Sequence, residues 1–114
     1  RDEADKKYKN LKTFFMKDIM KDVDWVEEVI ESLDNNRVYV TIDMDVFDPS
    51  IMPSVGTPEP GGMGWYETLM LLKRLCQEKD VIGFDAVELS PMPANISPDF
   101  LTAKLIYKFL SYIF

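Results

Sequence analysis

Two carboxylates that lie one residue apart, directly after an apolar segment, constrain this chain more than any other feature. They belong to the run Thr41-Ile42-Asp43-Met44-Asp45-Val46-Phe47-Asp48-Pro49. The apolar and β-branched residues 38–42 predict a short strand that is buried on both faces of a parallel sheet. Because strand side chains alternate between faces, Asp43 and Asp45 are expected on the same side. Neighbouring carboxylates repel each other and are costly to desolvate, so their pairing favours a bound divalent cation.

The residues after this Asp-x-Asp pair resemble a known family. They run Asp48-Pro49-Ser50-Ile51-Met52-Pro53-Ser54 and, after Val55, Gly56-Thr57-Pro58-Glu59-Pro60-Gly61-Gly62. Together with the preceding strand, this stretch resembles the third motif of the ureohydrolase (arginase and agmatinase) family. In that motif a Ser or Thr, the Asp-x-Asp pair, two prolines and a closing glycine recur at fixed spacing. The matching positions here are Thr41, Asp43, Asp45, Pro49, Pro53 and Gly62.

A second segment extends the resemblance towards residue 114. The run Gly83-Phe84-Asp85-Ala86-Val87-Glu88-Leu89-Ser90-Pro91 is similar to the family's next strand. The sequences of residues 57–62 and 87–91 are closer to those of agmatinases than to those of arginases. The resemblance implies an α/β fold with a parallel sheet flanked by helices, the C-terminal part of an arginase-like three-layer α/β/α fold. It implies that residues 1–114 are a single C-terminal fragment of a ureohydrolase domain.

The resemblance also implies a chemistry. In the full-length enzyme the site would hold two Mn²⁺ ions, with Asp43 bridging both and Asp45 binding one of them. Glu88 would contact the guanidinium group of a small cationic guanidino substrate, with agmatine favoured, and the products would be urea and an amine. Thr57 is a candidate for a hydrogen bond that orients Glu88. Family members commonly form homo-oligomers, and the same is expected here.

The chain lacks the family's two upstream metal motifs, a Gly-Gly-Asp-His segment and an Asp-Ala-His-x-Asp segment, and it contains no histidine. It therefore carries about half of the metal ligands that the resemblance implies. We expect the chain alone to be inactive and to bind manganese weakly or not at all, because two carboxylates leave most coordination positions to water.

Hydrophobic periodicity predicts an alternation of helices and strands. Predicted strands lie at residues 13–16, 38–42 and 81–89, and predicted helices at residues 1–11, 23–33, 65–76 and 98–114. The first of these helices could instead be a frayed end. Asp22 or Asp24 can cap the second of these helices, and Glu27 completes a capping-box pattern with Asp24. The last helix is apolar around most of its circumference, which predicts burial between other elements. Ligands of parallel sheets bind beyond the carboxyl ends of the strands, where Asp43 and Glu88 lie.

Composition and charge exclude several classes of function. The formal net charge of −7 argues against nonspecific binding to nucleic acid or to anionic membranes. The C-terminal apolar segment is interrupted by Lys104 and Lys108 and is too short to span a bilayer. Cys76 is the only cysteine and is expected to be a small core residue rather than a reactive thiol. A cytoplasmic location is expected.

Each candidate residue also has a plain structural interpretation. Asp43 and Asp45 could belong to a solvated turn or a helix cap, and Glu88 could form a salt bridge. Thr57 could simply be a turn residue. Asp85 is equally well explained as a buried hydrogen-bonding group or as a support for the site, and Asp48 before Pro49 is expected to form a turn.

Two other functions remain alternatives to the ureohydrolase. The chain could be a folding or assembly module without catalysis. It could also belong to a magnesium-dependent phosphoryl-transfer enzyme that uses Asp43 and Asp45. The absence of a Gly-x-x-x-x-Gly-Lys phosphate loop argues against the second alternative.

Overall fold

A computed structural model describes residues 11–56 and 58–114 of the chain. The chain divides into two compact units, with the division after Asp34. In the described part of the first unit lie two short helices, α1 (Met16–Ile19) and α2 (Trp25–Glu31). The second unit contains the elements β1 (Arg37–Asp43), a 3-10 turn (Met44–Val46), α3 (Trp65–Glu78), β2 (Asp80–Val87) and α4 (Ser97–Ile113).

The strand predicted at residues 13–16 is wrong. The carbonyl oxygen of Phe15 accepts hydrogen bonds from the amides of Asp18 and Ile19, at 2.9 and 3.0 Å, and this starts helix α1. The apolar run therefore finds its backbone partners within one helical turn rather than in a neighbouring strand. The helix predicted at residues 1–11 lies outside the described residues, apart from Leu11, which is not helical.

Helix α2 confirms the helix predicted at residues 23–33 over a shorter range, but the predicted capping box does not form. The side chain of Asp24 accepts no capping hydrogen bond, and the backbone amide of Asp24 donates to Asp22 Oδ1 at 2.9 Å. Val23, the first residue of the predicted helix, is 95% exposed, because the helix begins only at Trp25. The apolar stripe is formed by Trp25, Val26 and Ile30, which are buried.

Strands β1 and β2 form a two-stranded parallel sheet, which confirms the predicted α/β class with parallel pairing. The register pairs Thr41 with Asp85 and Asp43 with Val87, after an irregularity between Val38 and Tyr39. The prediction that β1 is buried on both faces is wrong. Ile42 is buried on one face, whereas Tyr39 on the other face is 59% exposed.

Helices α3 and α4 supply the core on the face of the sheet that contains Ile42. The ring of Phe84 in β2 packs on that of Phe109 in α4, with ring centroids 4.6 Å apart. The buried side chains of the two helices are Thr68, Leu69, Leu72, Leu75, Pro98, Thr102, Leu105 and Phe109. Burial of α4 between other elements was predicted and is wrong for one side of the helix, since Phe100 and Tyr107 are 69% and 73% exposed.

Cys76 lies half-buried in α3, and burial raises the pKa of its thiol. This environment agrees with the expected role as a small packing residue, because a reactive thiol requires a lowered pKa. Within the described residues no helix is long and apolar enough to cross a membrane.

A smaller apolar cluster lies beneath the loop that joins β1 to α3. Its buried members are Met44, Phe47, Met52, Val55 and Met63. Met44 and Met52 have no exposed surface at all. The bridge between Phe47 and Met63 joins the two ends of this loop.

Among residues 11–56 and 58–114, no further strand pairs with the outer edges of β1 and β2. We therefore predict that the 114-residue chain self-associates, because unprotected strand edges pair with other chains. Ile82 of β2 is 54% exposed and lines an apolar groove with Leu110 and Phe114. We expect the mass from light scattering to rise with concentration. Ile82→Lys should reduce this rise, because a charge on an edge strand opposes pairing, whereas Tyr66→Lys on the exposed face of α3 should not. A concentration-independent monomer mass for the unsubstituted chain would contradict this prediction.

Candidate functional site

The two aspartates of the Asp-x-Asp pair lie where β1 ends and the chain turns. Asp43 is the last residue of β1, and Asp45 lies in the 3-10 turn Met44–Val46. The expectation that strand alternation places both on one side is therefore wrong for Asp45. The turn brings them together instead, because the amide of Asp45 donates to Asp43 Oδ1 at 3.1 Å. Asp43 acts as the N-cap of this turn.

The Asp43 carboxyl group lies near two other carboxylates at this end of the sheet. Partial burial raises the pKa of Asp43. The hydrogen bond from the Asp45 amide lowers it, whereas the Asp45 side chain and the negative charges of Asp45 and Glu88 raise it further. The predicted meeting of Asp43 and Glu88 at one edge is present in the structure, and Asp45 lies in the adjoining turn. Such a group favours a positively charged ligand, because the neighbouring carboxylates disfavour the ionised form of Asp43.

Glu88 follows directly after β2 and is exposed. Its φ angle is +70°, in the left-handed region that side-chain-bearing residues rarely adopt. No other described residue except glycine has a positive φ. Glu88 forms no ion pair with a Lys or Arg among residues 11–56 and 58–114. The salt-bridge interpretation of Glu88 therefore has no support in that part of the chain.

The loop between β1 and α3 returns to the end of β2 next to Glu88. Val55 pairs with Leu89 in an antiparallel bridge, and the amide of Ser90 donates to the carbonyl oxygen of Ser54 at 2.7 Å. A Cβ atom built on Gly56 would lie 3.3 Å from Glu88 Oε2. The loop backbone therefore lies directly beside the Glu88 carboxylate.

Asp48 closes this loop at its base, as expected of a turn former. Its Oδ2 accepts from the amide of Ser50 at 3.0 Å, and its Oδ1 accepts from the amides of Gly61 and Gly62 at 3.0 and 3.3 Å. Hydrogen bonds from the Ser50 side chain and from these amides lower the pKa of Asp48. A Cβ atom on Gly62 would lie 2.5 Å from the Asp48 nitrogen. Only glycine therefore fits where the backbone at residue 62 approaches the backbone at residue 48.

Asp85 joins the two strands on the exposed face of the sheet. Its Oδ2 accepts from the Tyr39 hydroxyl at 3.0 Å and from the Thr41 hydroxyl at 3.4 Å. The hydrogen bond to Asp85 raises the pKa of Tyr39. Of the two interpretations of Asp85, these contacts favour the structural hydrogen-bonding group. The other oxygen, Oδ1, is buried and has no hydrogen-bond partner among the described residues.

The remaining expectations about the site concern Thr57 and the number of metal ligands. Thr57 lies outside the described residues, so its predicted hydrogen bond to Glu88 stays a prediction. Among the described residues no group of three or more His, Cys, Asp or Glu side chains could hold a metal ion. The pair Asp43 and Asp45 thus supplies at most a partial set of ligands.

A family model described as the arginase family matches residues 1–111. The chain belongs to the arginase family. This confirms the resemblance that the Asp-x-Asp and Val-Glu-Leu-Ser-Pro segments carry. Membership also disfavours the phosphoryl-transfer alternative, since the relatives of this chain are ureohydrolases.

Curated relatives place the chain near the agmatinase side of the arginase family. It is 48% identical over 104 residues to the N(1)-aminopropylagmatine ureohydrolase of Synechocystis sp., an alignment that covers 91% of this chain and 34% of that protein. It is 46% identical over 70 residues to the agmatinase of Pyrococcus horikoshii, covering 61% of this chain and 25% of that protein. The chain spans about a third or less of the length of these curated relatives.

Solved structures confirm the arginase-like fold. The agmatine ureohydrolase of Thermoplasma volcanium superimposes with a TM-score of 0.73 at 37% identity, covering 86% of this chain and 33% of that chain. The arginase of Bacillus caldovelox gives a TM-score of 0.78 at 26% identity, covering 98% of this chain and 39% of that chain. The two-stranded parallel sheet and its helices therefore correspond to part of the larger arginase-family fold.

Several residues of this arginase-family site were not found by sequence reasoning. The hydrogen bond from Tyr39 to Asp85 depends on the strand register, which the irregularity after Val38 sets. The contact between Gly56 and Glu88 depends on the path of a long loop. In the sequence, Gly56 is visible only as a member of the family-like run 56–62, and that resemblance assigns no role to Gly56.

The left-handed conformation of Glu88 predicts a stability difference between two variants of the complete protein that carries this chain. Both Glu88→Gly and Glu88→Ala remove the carboxylate, but only glycine relieves the positive φ. We expect Glu88→Gly to have the higher free energy of unfolding of the two, by about 1 kcal/mol in denaturant titration. In the middle of α3 the order should reverse, with Lys73→Ala more stable than Lys73→Gly by about 0.5–1 kcal/mol. Equal stability of the two Glu88 variants would show that this φ carries no strain.

Proposed function

We propose that this chain is the C-terminal part of a ureohydrolase that hydrolyses a guanidino compound to urea and an amine. The observation that carries the proposal is the gathering of Asp43, Asp45 and Glu88 at one end of the parallel sheet in an arginase-family chain. We favour agmatine or N(1)-aminopropylagmatine as substrate, because relatives with these names match the chain at 46% and 48% identity. Assembly of the complete enzyme into homo-oligomers is part of the proposal.

The residues of the site fit a divalent cation in part. Carboxylate oxygens suit hard ions such as Mn²⁺ and Mg²⁺, and Asp43 and Asp45 are held within one turn of each other. Burial and neighbouring negative charge raise the pKa of Asp43, so both disfavour its ionised form. A cation placed beside Asp43 would favour the ionised form. We assign Asp43 and Asp45 as ligands of manganese, with further ligands from residues outside this chain.

Bound divalent cations would supply hydroxide near neutral pH by lowering the pKa of water. The chain's own residues supply position and charge. Glu88 is exposed and negatively charged at the site, so it can pair with the planar guanidinium through charge-assisted hydrogen bonds. Such a pair orients the guanidinium carbon towards Asp43 and Asp45, and orientation accounts for a large share of catalysis in enzymes.

The proposed activity is tested by assaying urea release from the complete protein that carries this chain, after loading with Mn²⁺. Agmatine, N(1)-aminopropylagmatine and arginine are compared, with a phosphoester as the substrate of the alternative reaction. We expect urea from at least one guanidino polyamine and no phosphate from the phosphoester. Failure to release urea from any of the three guanidino compounds would overturn the proposed function.

The chain of 114 residues should bind Mn²⁺ weakly or not at all when it is separated from other ligands. Two carboxylates leave most coordination positions to water, which gives little compensation for dehydrating the ion. Isothermal titration calorimetry of the chain should show no tight binding, and Asp43→Asn should change the titration little. Tight binding of two ions per chain would show that this chain holds a complete site.

Substitution of Glu88 and of Asp43 should affect the complete protein in different ways. Glu88→Gln keeps the shape of the side chain but removes the charge that faces the guanidinium. Because a hydrogen bond to a charged group contributes roughly 1.5–3 kcal/mol, kcat/KM should fall about tenfold to a few hundredfold. Manganese content should remain near that of the unsubstituted protein.

Asp43→Asn should instead lower the manganese content itself, because it removes the negative charge of a proposed metal ligand. Metal analysis and kinetics on both variants, measured side by side, separate the two roles. Loss of metal from Glu88→Gln together with retention in Asp43→Asn would show that the roles are assigned the wrong way round.

A further inference from the structure

Three segments meet at Glu88 and fix its backbone. On its N-terminal side, Val87 is the last residue of β2 and is paired with Asp43 of β1. On its C-terminal side, Leu89 is bridged to Val55, and the Ser90 amide donates to the Ser54 carbonyl oxygen at 2.7 Å. Between these two attachments, Glu88 has a φ of +70°. Its side-chain direction is therefore determined by neighbours on both sides, which is the situation in which strained backbone persists at functional sites.

The loop side of this arrangement is firmly anchored up to the residue before Gly56. Met52 and Ser54 are 0% and 1% exposed, and Val55 is 8% exposed. Gly56 itself is exposed, and a Cβ atom added to it would meet Glu88 Oε2 at 3.3 Å. Since the preceding backbone is packed in the core, a side chain at residue 56 would have to be accommodated mainly by movement of the Glu88 carboxylate.

The glycine at residue 56 is not required by its backbone conformation. Its φ lies outside the positive region, in contrast to that of Gly61, which is +81°. A larger residue at this position therefore meets no backbone strain. What glycine contributes here is the absence of a side chain beside a carboxylate.

We infer that Gly56 is a positioning residue, which sets the location of the Glu88 carboxylate that receives the guanidinium group. The inference rests on the proposed ureohydrolase function and extends it to a residue that does not itself touch the substrate. Gly56 acts through Glu88, and the bridge from Val55 to Leu89 keeps the two at a fixed distance. A substitution in the loop alone can thus change the affinity of the site for the guanidinium group.

The test compares Gly56→Ala and Gly56→Val with the unsubstituted protein, using the complete Mn²⁺-loaded protein that carries this chain. A Cβ at 3.3 Å requires its neighbour to move by a few tenths of an ångström. Since misplacement by 1 Å can cost about a hundredfold, we expect Gly56→Ala to lower kcat/KM about threefold to tenfold and Gly56→Val to lower it further. The loss should be mainly a rise in KM for the guanidino substrate, with manganese content unchanged.

Gly64→Ala is the matched control. Its added Cβ would lie 3.4 Å from a carboxylate oxygen of Glu67 at the start of α3, with no atom of Glu88 within 4 Å. We therefore expect kcat/KM to stay within about twofold of the unsubstituted protein. A double variant carrying Gly56→Ala and Glu88→Ala isolates the proposed route of action. Once the carboxylate is absent, Gly56→Ala should cause no further loss, because contacting residues are not additive.

Unchanged kinetics in both Gly56 variants, or full additivity with Glu88→Ala, would overturn the inference. Absence of urea release from the unsubstituted protein would overturn the proposed function instead. In that case crystal structures of the unsubstituted protein and of Gly56→Ala still decide the positioning. A Glu88 carboxylate displaced from residue 56 supports the inference, and an undisplaced one refutes it.

Discussion

The parallel hydrogen-bonded ladder between β1 and β2 is the constraint on which the site depends. Parallel strands end at the same edge, and the register pairs Asp43 with Val87. The residues that follow each strand are thereby brought to one place, although they are more than forty positions apart in the sequence. Asp85 reinforces the ladder on one face through Tyr39 and Thr41. Packing of Phe84 on Phe109 reinforces it on the other.

Unfavourable electrostatic interactions are concentrated at this edge of the sheet. Asp43 is partly buried and lies among negative charges, so the folded chain holds a proton on Asp43 more tightly than the unfolded chain does. Its contribution to stability is therefore lost as the pH rises from 3.8, the ordinary pKa of such a carboxyl group, through the raised pKa. A cation bound as proposed would offset this cost, and metal binding would then be coupled to the stability of the turn after β1.

The sequence was sufficient to predict β1, β2, α3 and the parallel pairing, because each has a clear hydrophobic period or a β-branched run. It was also sufficient to predict that Asp43 and Glu88 share one edge. It was not sufficient for residues 13–16, where an apolar run closes a helical turn through the Phe15 carbonyl instead of forming a strand. Local propensity cannot distinguish these outcomes for so short a segment.

Other features depend on contacts between distant residues and have no local signal. Tyr39 and Tyr107 lie in apolar segments but are exposed. An apolar pattern therefore predicts that a face can be buried, but it does not identify the element that would cover it. The position of Asp45 follows from the turn Met44–Val46, which begins directly after the last residue of β1, Asp43. The contact of Gly56 with Glu88 required the path of a loop whose ends are joined by hydrogen bonds rather than by periodicity.

Asp48 closes the loop between β1 and α3 at its base. One carboxylate binds amides at Ser50, Gly61 and Gly62, and the Met63 amide donates to the Val46 carbonyl oxygen at 2.8 Å. The two ends of the loop are thus fixed to each other independently of the residues between them. Glu59 is exposed and takes no part in these hydrogen bonds, so an exchange at that position can be accommodated without displacing β1 or α3. The base of the loop thereby isolates the framework of β1 and α3 from changes at exposed loop positions.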